Sequence, residues 1–418
     1  MANQEWDDHD RSTKLTPHDM AYNYLNSCAL NAILFTYGDN DTFPVWYIQE
    51  VENVRPDVRI VNLSLLGTDW YIRQMKTKMN ESAPLPITMD DNKYKAGTRD
   101  VIFYNDAKIP GSLELKDVFE FITSDNKAVM AQMQSGEEVN YLPTKNFRLS
   151  VNPDQVISTG TLPADKKAQI DTVLNFTYPG AYVTKDNLAL MDVLAHNNWK
   201  RPIYFAVSVP TESFLGLNKY LYNEGFAYRL LPLKPDTAAA ASESGQANSL
   251  VMYNNLMNKF KWGNLKTAKY LDDVSSTQMF PLITRSYLSL IDNLRKEGHT
   301  DLAKNALEKY REVTPDIITA PEIAWRQFYM AKLSYELGQT ELADKEVNKI
   351  ADYINNSLVY NYLQFKDGKP ADNNQIRFSL SLLNQIVSFT KTYNPALSEK
   401  WKAPLDHYIK DFGATLQY

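Results

Sequence analysis

One cysteine, Cys28, stands in 418 residues, which excludes an internal disulfide and any cysteine-built zinc site. No apolar run approaches the roughly 20 residues that a membrane-spanning helix needs. The opening MANQEWDDHDRS lacks the apolar core of a secretory signal, and its abrupt acidic and aromatic start is also compatible with the cut end of a longer protein. There is no block of Lys and Arg, and the formal net charge is −6. The electrostatic basis for nucleic-acid or anionic-membrane binding is therefore missing. The phosphate-cradling patterns G-x-G-x-x-G and G-x-x-x-x-G-K-S/T are absent, as are the G-x-S-x-G elbow and the H-E-x-x-H zinc pair. The five histidines, His9, His18, His196, His299 and His407, are dispersed. With 44% hydrophobic and 22% charged residues, the chain nevertheless has the composition of an ordered globular protein.

What is present is concentrated between Ala32 and Met75. Short β-rich runs, Ile33 to Thr36 and Val58 to Leu66, alternate with segments of helical period, the pattern of a parallel α/β sheet. After the first run comes Gly38-Asp39-Asn40-Asp41, with Thr42 or Asp41 placed to cap a helix that has Pro44 in its first turn. After the second, Gly67 ends the strand and Thr68 can cap a helix carrying Ile72, Met75 and Met79 on one face. Open α/β sheets bind ligands beyond the carboxyl ends of their strands, so Asp39, Asn40, Asp41, Asp69 and Trp70 occupy the places of a site. Trp46, Tyr47, Trp70 and Tyr71 fall on helices, where burial is the commoner fate of an aromatic.

Thr16-Pro17-His18-Asp19 starts a helix that should turn Cys28 to the core. Prolines interrupt ESAPLPITM and leave a short strand or edge segment. Asp100 to Tyr104 reads as a strand, and Leu113 to Ile122 as a helix. Residues 125–175 hold strand-like pieces such as Phe147 to Val151, as in an inserted hairpin or a mobile lobe. A helix follows with Leu188, Met191 and Leu194 on one face. Ile203 to Val209 is then a strand apolar on both sides, followed by a helix over Ser213 to Tyr222 and a strand over Ala227 to Leu233. DTAAAASESGQAN, 236–248, has linker composition.

Beyond it amphipathic helices take over. Gly298 and Ala303 are spaced as Gly338 and Ala343 are, each pair followed by an aliphatic residue, Leu307 or Val347. This is the pattern of tetratricopeptide helix pairs. Helices over Leu250 to Phe260 and Phe378 to Tyr393 flank them. The array would offer a concave face to a partner or buttress the first domain. The expected architecture is thus a Rossmann-like, mostly parallel α/β domain over 1–235, a linker or loop over 236–248, and a tetratricopeptide-like all-α domain over 249–418.

Two groups carry the candidate chemistry. Asp39 and Asp41 offer hard oxygen ligands for calcium or magnesium without EF-hand spacing, and otherwise serve the turn and cap. Trp6-Asp7-Asp8-His9-Asp10-Arg11 could bind a metal or hold a carboxyl of raised pKa, and a solvated terminal segment accounts for it equally.

The strings WDDHDRS, AYNYLNS, AILFTYGDNDTFPVWYIQEVE, VRIVNLSLLGTDWYIRQMK and NWKRPIYFA resemble the extramembrane C-terminal region of a Bacteroidetes-type membrane protein family. That family's multi-spanning N-terminal domain, long of unknown function, is grouped with protein O-mannosyltransferase-like glycosyltransferases. The resemblance implies a periplasmic domain at the inner membrane, joined to the bilayer only through spans that precede it, with residues 1–15 membrane-proximal. It implies a polyprenyl-phosphate sugar donor, and a catalytic acid in a membrane loop outside this sequence. The partners implied are the transmembrane domain of the same chain and periplasmic acceptor proteins. No cofactor is expected beyond a possible divalent cation. Two functional classes result: an acceptor-binding or active-site-covering domain of a membrane glycosyltransferase, or a periplasmic carbohydrate-processing or metal-dependent enzyme. Trp6 to Arg11 and the pair of turns at Asp39–Asp41 and Asp69 are expected to face a shared cleft.

Overall fold

The computed structural model describes residues 14–133, 136–236, 245–267, 274–318, 321–367 and 372–416. Its contacts divide the chain into one unit over Leu15–Gly263 and a second from Asn264 onward.

In the first unit five short strands form the central sheet: β1 (Ile33–Thr36), β2 (Arg59–Asn62), β3 (Ile203–Ala206), β4 (Leu221–Asn223) and β5 (Ala227–Leu230). The spatial order is β4-β5-β3-β1-β2. β1 runs parallel to β2, with Leu34 opposite Ile60, and parallel to β3, with Leu34 opposite Tyr204. β5 is antiparallel to both β3 and β4. The sheet is therefore mixed rather than mostly parallel. Only three residues, 224–226, join β4 to β5, and so short a link cannot make the crossover that parallel strands require. Every position of β1, β2 and β3 is buried, which is why apolar residues occupy adjacent positions without alternation; the exceptions at the ends of β2, Arg59 and Asn62, are buried with hydrogen-bond partners.

Helices α1 (Thr16–Ser27), α2 (Asp39–Glu50), α3 (Asp69–Met75) and α4 (Lys185–Asn197) belong to the same unit. Helix α1 begins where the sequence places it and buries Cys28. Helix α3 stops at Met75, so Met79 lies outside it in a turn. Between α3 and the strand Val101–Tyr104 no strand forms over the proline-interrupted segment, which is instead pinned by side chains. At one end the Arg59 guanidinium donates to the carbonyls of Thr77, Ser82 and Ala83 at 2.9–3.0 Å. Arg201 donates to Ala83 O at 2.9 Å and Ser82 Oγ at 2.8 Å, and also to Asn31 O and Ala32 O. Burial, then the neighbouring charge of Arg59, lowers the Arg201 guanidinium to about 10. At the other end the fully buried Asp192 carboxylate of α4 accepts from the amides of Thr88 and Met89 at 2.8 and 3.0 Å, and contacts His196 Nδ1 at 2.8 Å.

Residues 125–175 resolve into small sheets. Asn146–Ser150 pairs antiparallel with Val173–Thr177, and Leu113–Glu114 pairs parallel with Asn146–Ser150. The helix expected over Ser213 to Tyr222 does not form. Two 3₁₀ turns, Thr211–Phe214 and Asn218–Tyr220, take its place. They are separated by Leu215 (φ 54°) and Gly216 (φ 91°) in the left-handed region, which no α-helix can contain. Residues 249–263, grouped by sequence with the helical half, belong to the first unit. Asn255 Nδ2 donates to Glu224 O at 2.6 Å, and Asn23 bonds both backbone groups of Lys261 at 2.8 Å.

The second unit contains six α-helices among its described residues: α5 (Phe280–Lys296), α6 (Thr300–Val313), α7 (Pro321–Glu336), α8 (Thr340–Lys366), α9 (Asn373–Tyr393) and α10 (Pro395–Leu416). They pack as the consecutive pairs α5/α6, α7/α8 and α9/α10. The turns at Gly298 (φ 82°) and Gly338 (φ 79°) need the left-handed region, and Ala303 and Ala343 just beyond are fully buried. Glycine and alanine thus act as the sequence spacing implies: one permits the tight turn, the other close helix approach. Arg311 on α6 bridges to the second pair through Glu346 at 2.7 Å, Gln339 at 2.6 Å and Ser334 at 2.7 Å.

A Cβ on Gly216 would sit 2.1 Å from the backbone oxygen of Thr177. Gly216→Ala should therefore cost about 3 kcal/mol, lowering Tm by on the order of 10 °C. Gly97→Ala, with a similar φ of 78° but open space around the new methyl, should cost only about 1 kcal/mol. Thermal unfolding of the two variants separates clash from backbone strain, and equal losses would contradict the close approach.

Candidate functional site

The chain leaves β1 for β2 on one side and later enters β3 on the other, so the crevice between the carboxyl ends of β1 and β3 is a topological switch point. Segments 37–42, 63–70 and 207–210 form this edge. Together they contain Asp39, Asp41 and Asp69 and no Lys or Arg.

The first turn is built on Gly38, whose φ of 77° and ψ of −172° let the backbone enter α2 directly. Gly38, not Thr42 or Asp41, is the N-cap residue, and no side chain caps this helix end. Thr42 is fully buried instead. Its hydroxyl donates to Gly38 O at 2.7 Å and meets Thr36 Oγ1 at 2.8 Å. Thr68 is the N-cap of α3, but its hydroxyl turns back to Leu65 O at 2.7 Å. Asn62 joins the two loops: its side-chain amide donates to Gly38 O at 3.3 Å, and its backbone N–H donates to Tyr71 Oη at 2.9 Å.

Asp41 turns toward the crevice. Its carboxylate accepts from Ser208 Oγ, at the end of β3, and from Tyr37 N at 3.4 Å. Tyr24 Oη on α1 donates in turn to Ser208 Oγ at 3.3 Å. Among the described residues, no Lys or Arg is recorded in contact with this chain of hydroxyls. Burial pushes the Asp41 carboxyl above its ordinary range, with the Ser208 and Tyr37 hydrogen bonds acting in the opposite direction. Burial and then the Asp41 charge push the Tyr24 phenol well up. A carboxyl raised at a switch point is the kind of group on which binding and proton-transfer sites are built. Sequence reasoning missed Ser208 and Tyr24. The one signal for Ser208 was its place at the polar end of a strand recognised as central.

The other candidates point elsewhere. Asp39 is exposed and has no hydrogen-bond partner among the described residues, and Asn40 is also exposed. Asp69 accepts the N–H of Trp70 at 2.7 Å. Tyr71 is buried, as expected, but Trp70 and Tyr47 are each 53% exposed, against the expectation that helix aromatics are covered. Phe43 (51%) and Tyr37 (46%) are exposed too, and Phe43 stacks on Trp46 with ring centroids 5.6 Å apart. The reason is geometric: α2 turns Thr42, Val45, Ile48 and Gln49 inward, leaving aromatics on its opposite face. Among the described residues no three His, Cys, Asp or Glu side chains converge as metal ligands. Trp6, Asp7, Asp8, His9, Asp10 and Arg11 lie outside the described residues, and with them the expected shared cleft. No helix among the described residues is long and apolar enough to cross a membrane.

A carboxyl whose folded pKa is raised stabilises the fold below its unfolded pKa of about 4 and loses that contribution as pH rises through the folded value. Relative to Asp41→Asn, the wild type should therefore lose stability as pH rises from about 4, by at most about 1.4 kcal/mol per pH unit within the window. Asp192, also raised by burial, is common to both proteins and cancels. Urea unfolding of the pair at several pH values between about 4 and 7 measures the difference, and a difference that does not change with pH would contradict the buried setting of Asp41.

No curated protein and no solved structure matches the chain. The model of the family described as TMEM260-associated domain 2 matches residues 17–251, which is more than half of the chain and includes every residue of the carboxyl edge. The chain belongs to the TMEM260-associated domain 2 family.

Proposed function

We propose that this chain is the extramembrane portion of a membrane-associated protein O-glycosyltransferase of the O-mannosyltransferase-like, Bacteroidetes type. It works at the periplasmic face of the inner membrane, where it binds or orients the acceptor protein or covers the membrane active site. In this reading the first unit is a Rossmann-like domain whose carboxyl edge is the working surface, and the second is a tetratricopeptide-like array. Sugar transfer from a polyprenyl-phosphate donor is carried out by the membrane domain of the same protein. The observation that carries the reading is the family match over 17–251, together with the resemblance of Trp6–Ser12, Ala32–Glu52 and Val58–Lys76 to that membrane family.

A second reading, an enzyme acting on carbohydrate by itself, is favoured by one observation: the raised Asp41 carboxyl hydrogen-bonded to Ser208.

The test compares membranes containing the full-length protein with the purified 418-residue chain, both given acceptor protein and polyprenyl-phosphate sugar. Transfer is expected in the membranes only. An Asp39→Asn, Trp70→Ala double variant of the full-length protein should lose at least about tenfold in transfer at unchanged abundance, on the order of 1.4 kcal/mol or more. Transfer by the isolated chain would favour the second reading, and full transfer by the variant would remove the edge from the mechanism.

A further inference from the structure

Within the second unit, a cavity of about 400 Å³ lies beside the end of α6. Its walls are α6, the segment 314–316 and α8, with Gln327 and Met330 from α7 and Lys266 from ahead of α5. The floor is apolar, since Tyr310, Met330 and Ile350 line it and are buried. Charged side chains surround that floor: Lys266, Arg311, Lys345 and Lys349 against Asp316 and Glu346. Polar bonds hold the walls in place. Arg311 donates to Glu346 at 2.7 Å, Lys349 Nζ meets Asp316 Oδ1 at 2.5 Å, and Lys266 Nζ donates to Arg311 O at 3.0 Å. Contacts thus run from Lys266 to Arg311 and on to Glu346, whose neighbour on α8 is Lys345. These groups face one small cavity and not a broad surface.

Among the described residues the charges of this set do not balance. Both carboxylates are already paired, Glu346 with Arg311 and Asp316 with Lys349. Lys266 has only a backbone oxygen, and exposed Lys345 has no partner among the described residues. The neighbouring acids of α6 and α8 do not make up the difference. Asp344 accepts from Tyr335 and Asn394, Glu312 is bonded to Lys309, and Glu308 and Glu341 do not line the cavity. Lys345 and Lys349 stand four apart on α8, with Cβ atoms about 5–6 Å from each other, where like charges are unfavourable. Local rules of this kind are broken at binding sites, where a ligand supplies the compensation. The buried floor adds a second requirement. An inorganic phosphate leaves the floor uncovered, and an uncharged apolar ligand leaves both ammoniums unanswered. Asp316, whose side chain is 77% exposed, and Glu346 stand at the same mouth. They repel a concentrated double negative charge more than single carboxylates set apart along a chain. They also accept hydrogen bonds, which a peptide backbone donates and a lipid phosphate does not. The volume is at the small end of ligand sites, with room for an apolar side chain and not for a folded partner.

We infer that this cavity binds an acidic peptide segment, with an apolar side chain entering between Tyr310, Met330 and Ile350 and flanking carboxylates pairing with Lys266 and Lys345. The inference deepens the reading of this chain as one that binds the acceptor protein, and rests on that reading for the protein that carries the segment. It gives the helical unit a contact of its own, in addition to the carboxyl edge of the first unit.

The purified 418-residue chain is titrated with the peptide Gly-Glu-Leu-Phe-Glu-Gly, with its analogues Gly-Lys-Leu-Phe-Lys-Gly and Gly-Glu-Ser-Ser-Glu-Gly, and with geranyl phosphate as the lipid-phosphate probe. Binding is followed by saturation-transfer NMR. The first peptide should saturate with a Kd below about 1 mM, and the lysine and serine analogues should each bind at least about fivefold more weakly. Lys345→Glu and Lys266→Gln should each weaken binding of the first peptide at least about fivefold. Lys391→Glu, on α9 and outside the cavity, should leave it unchanged. Circular dichroism confirms that each variant is folded. Absence of saturation up to about 5 mM, equal binding of the lysine analogue, or tighter binding of geranyl phosphate would overturn the inference. So would binding indifferent to both cavity substitutions, or an equal loss with Lys391→Glu. Transfer by the full-length protein in membranes is measured in parallel. Peptide binding that depends on Lys266 and Lys345, without transfer, supports the site and overturns the glycosyltransferase reading. Transfer without peptide binding removes the site and leaves that reading standing.

Discussion

The parallel pairing of β1 with both β2 and β3 is the constraint on which the first unit depends. Because three buried strands point the same way, their carboxyl ends lie at one edge. Loops separated by some 170 residues are thus brought into hydrogen-bond contact, as Asp41 and Ser208 are. The chain pays for this arrangement in long connections, since parallel strands cannot be joined by a tight turn. Those connections are themselves held by polar side chains, from the arginines below the sheet to Asp192 on α4.

The two ends of the sheet handle buried charge in opposite ways. At the amino end, Arg59, through Nε and Nη2, and Arg201 donate to backbone carbonyls and to Ser82, while Arg59 Nη1 is buried without a partner, and the positive charges act as staples for an irregular segment. Removing a guanidinium there would leave several carbonyls without donors, which is the costly direction for a buried polar group. At the carboxyl end the described carboxyls are negative, and that of Asp41, drawn inward, accepts from a hydroxyl and a backbone amide. The carboxyl end keeps the exposed Asp39 carboxylate and the exposed rings of Tyr37, Phe43 and Trp70.

Much of the architecture was legible because β-rich runs of four to nine residues and glycine-bounded turns are local signals. β1, β2 and β3, the start of α1 at Thr16, the Asn146–Ser150 strand and the paired helices around Gly298 and Gly338 all follow from such signals. The errors have a shared cause. The helix expected over 213–222 is displaced by the contact of Gly216 with Thr177, a residue almost 40 positions earlier, and sheet polarity was decided by a short β4–β5 link that periodicity does not report. Capping by Thr42 or Asp41 was the local optimum, but Gly38 took the cap once Thr42 was drawn under the strand by Thr36.

The sequence by itself determined that this is an α/β chain followed by paired helices, that its single cysteine can form no internal disulfide, and that aspartates gather after β1 and β2. Those properties depend on composition and on neighbours a few residues apart. Only the tertiary structure decided which of these aspartates is buried and which is presented to solvent. It also decided that Ser208 and Tyr24 complete the crevice and that Trp70 and Phe43 are exposed while Tyr71 is not. Burial and hydrogen bonding between distant segments are properties of packing, and side chains with the same local pattern acquire different environments only when strands from both halves of the unit meet.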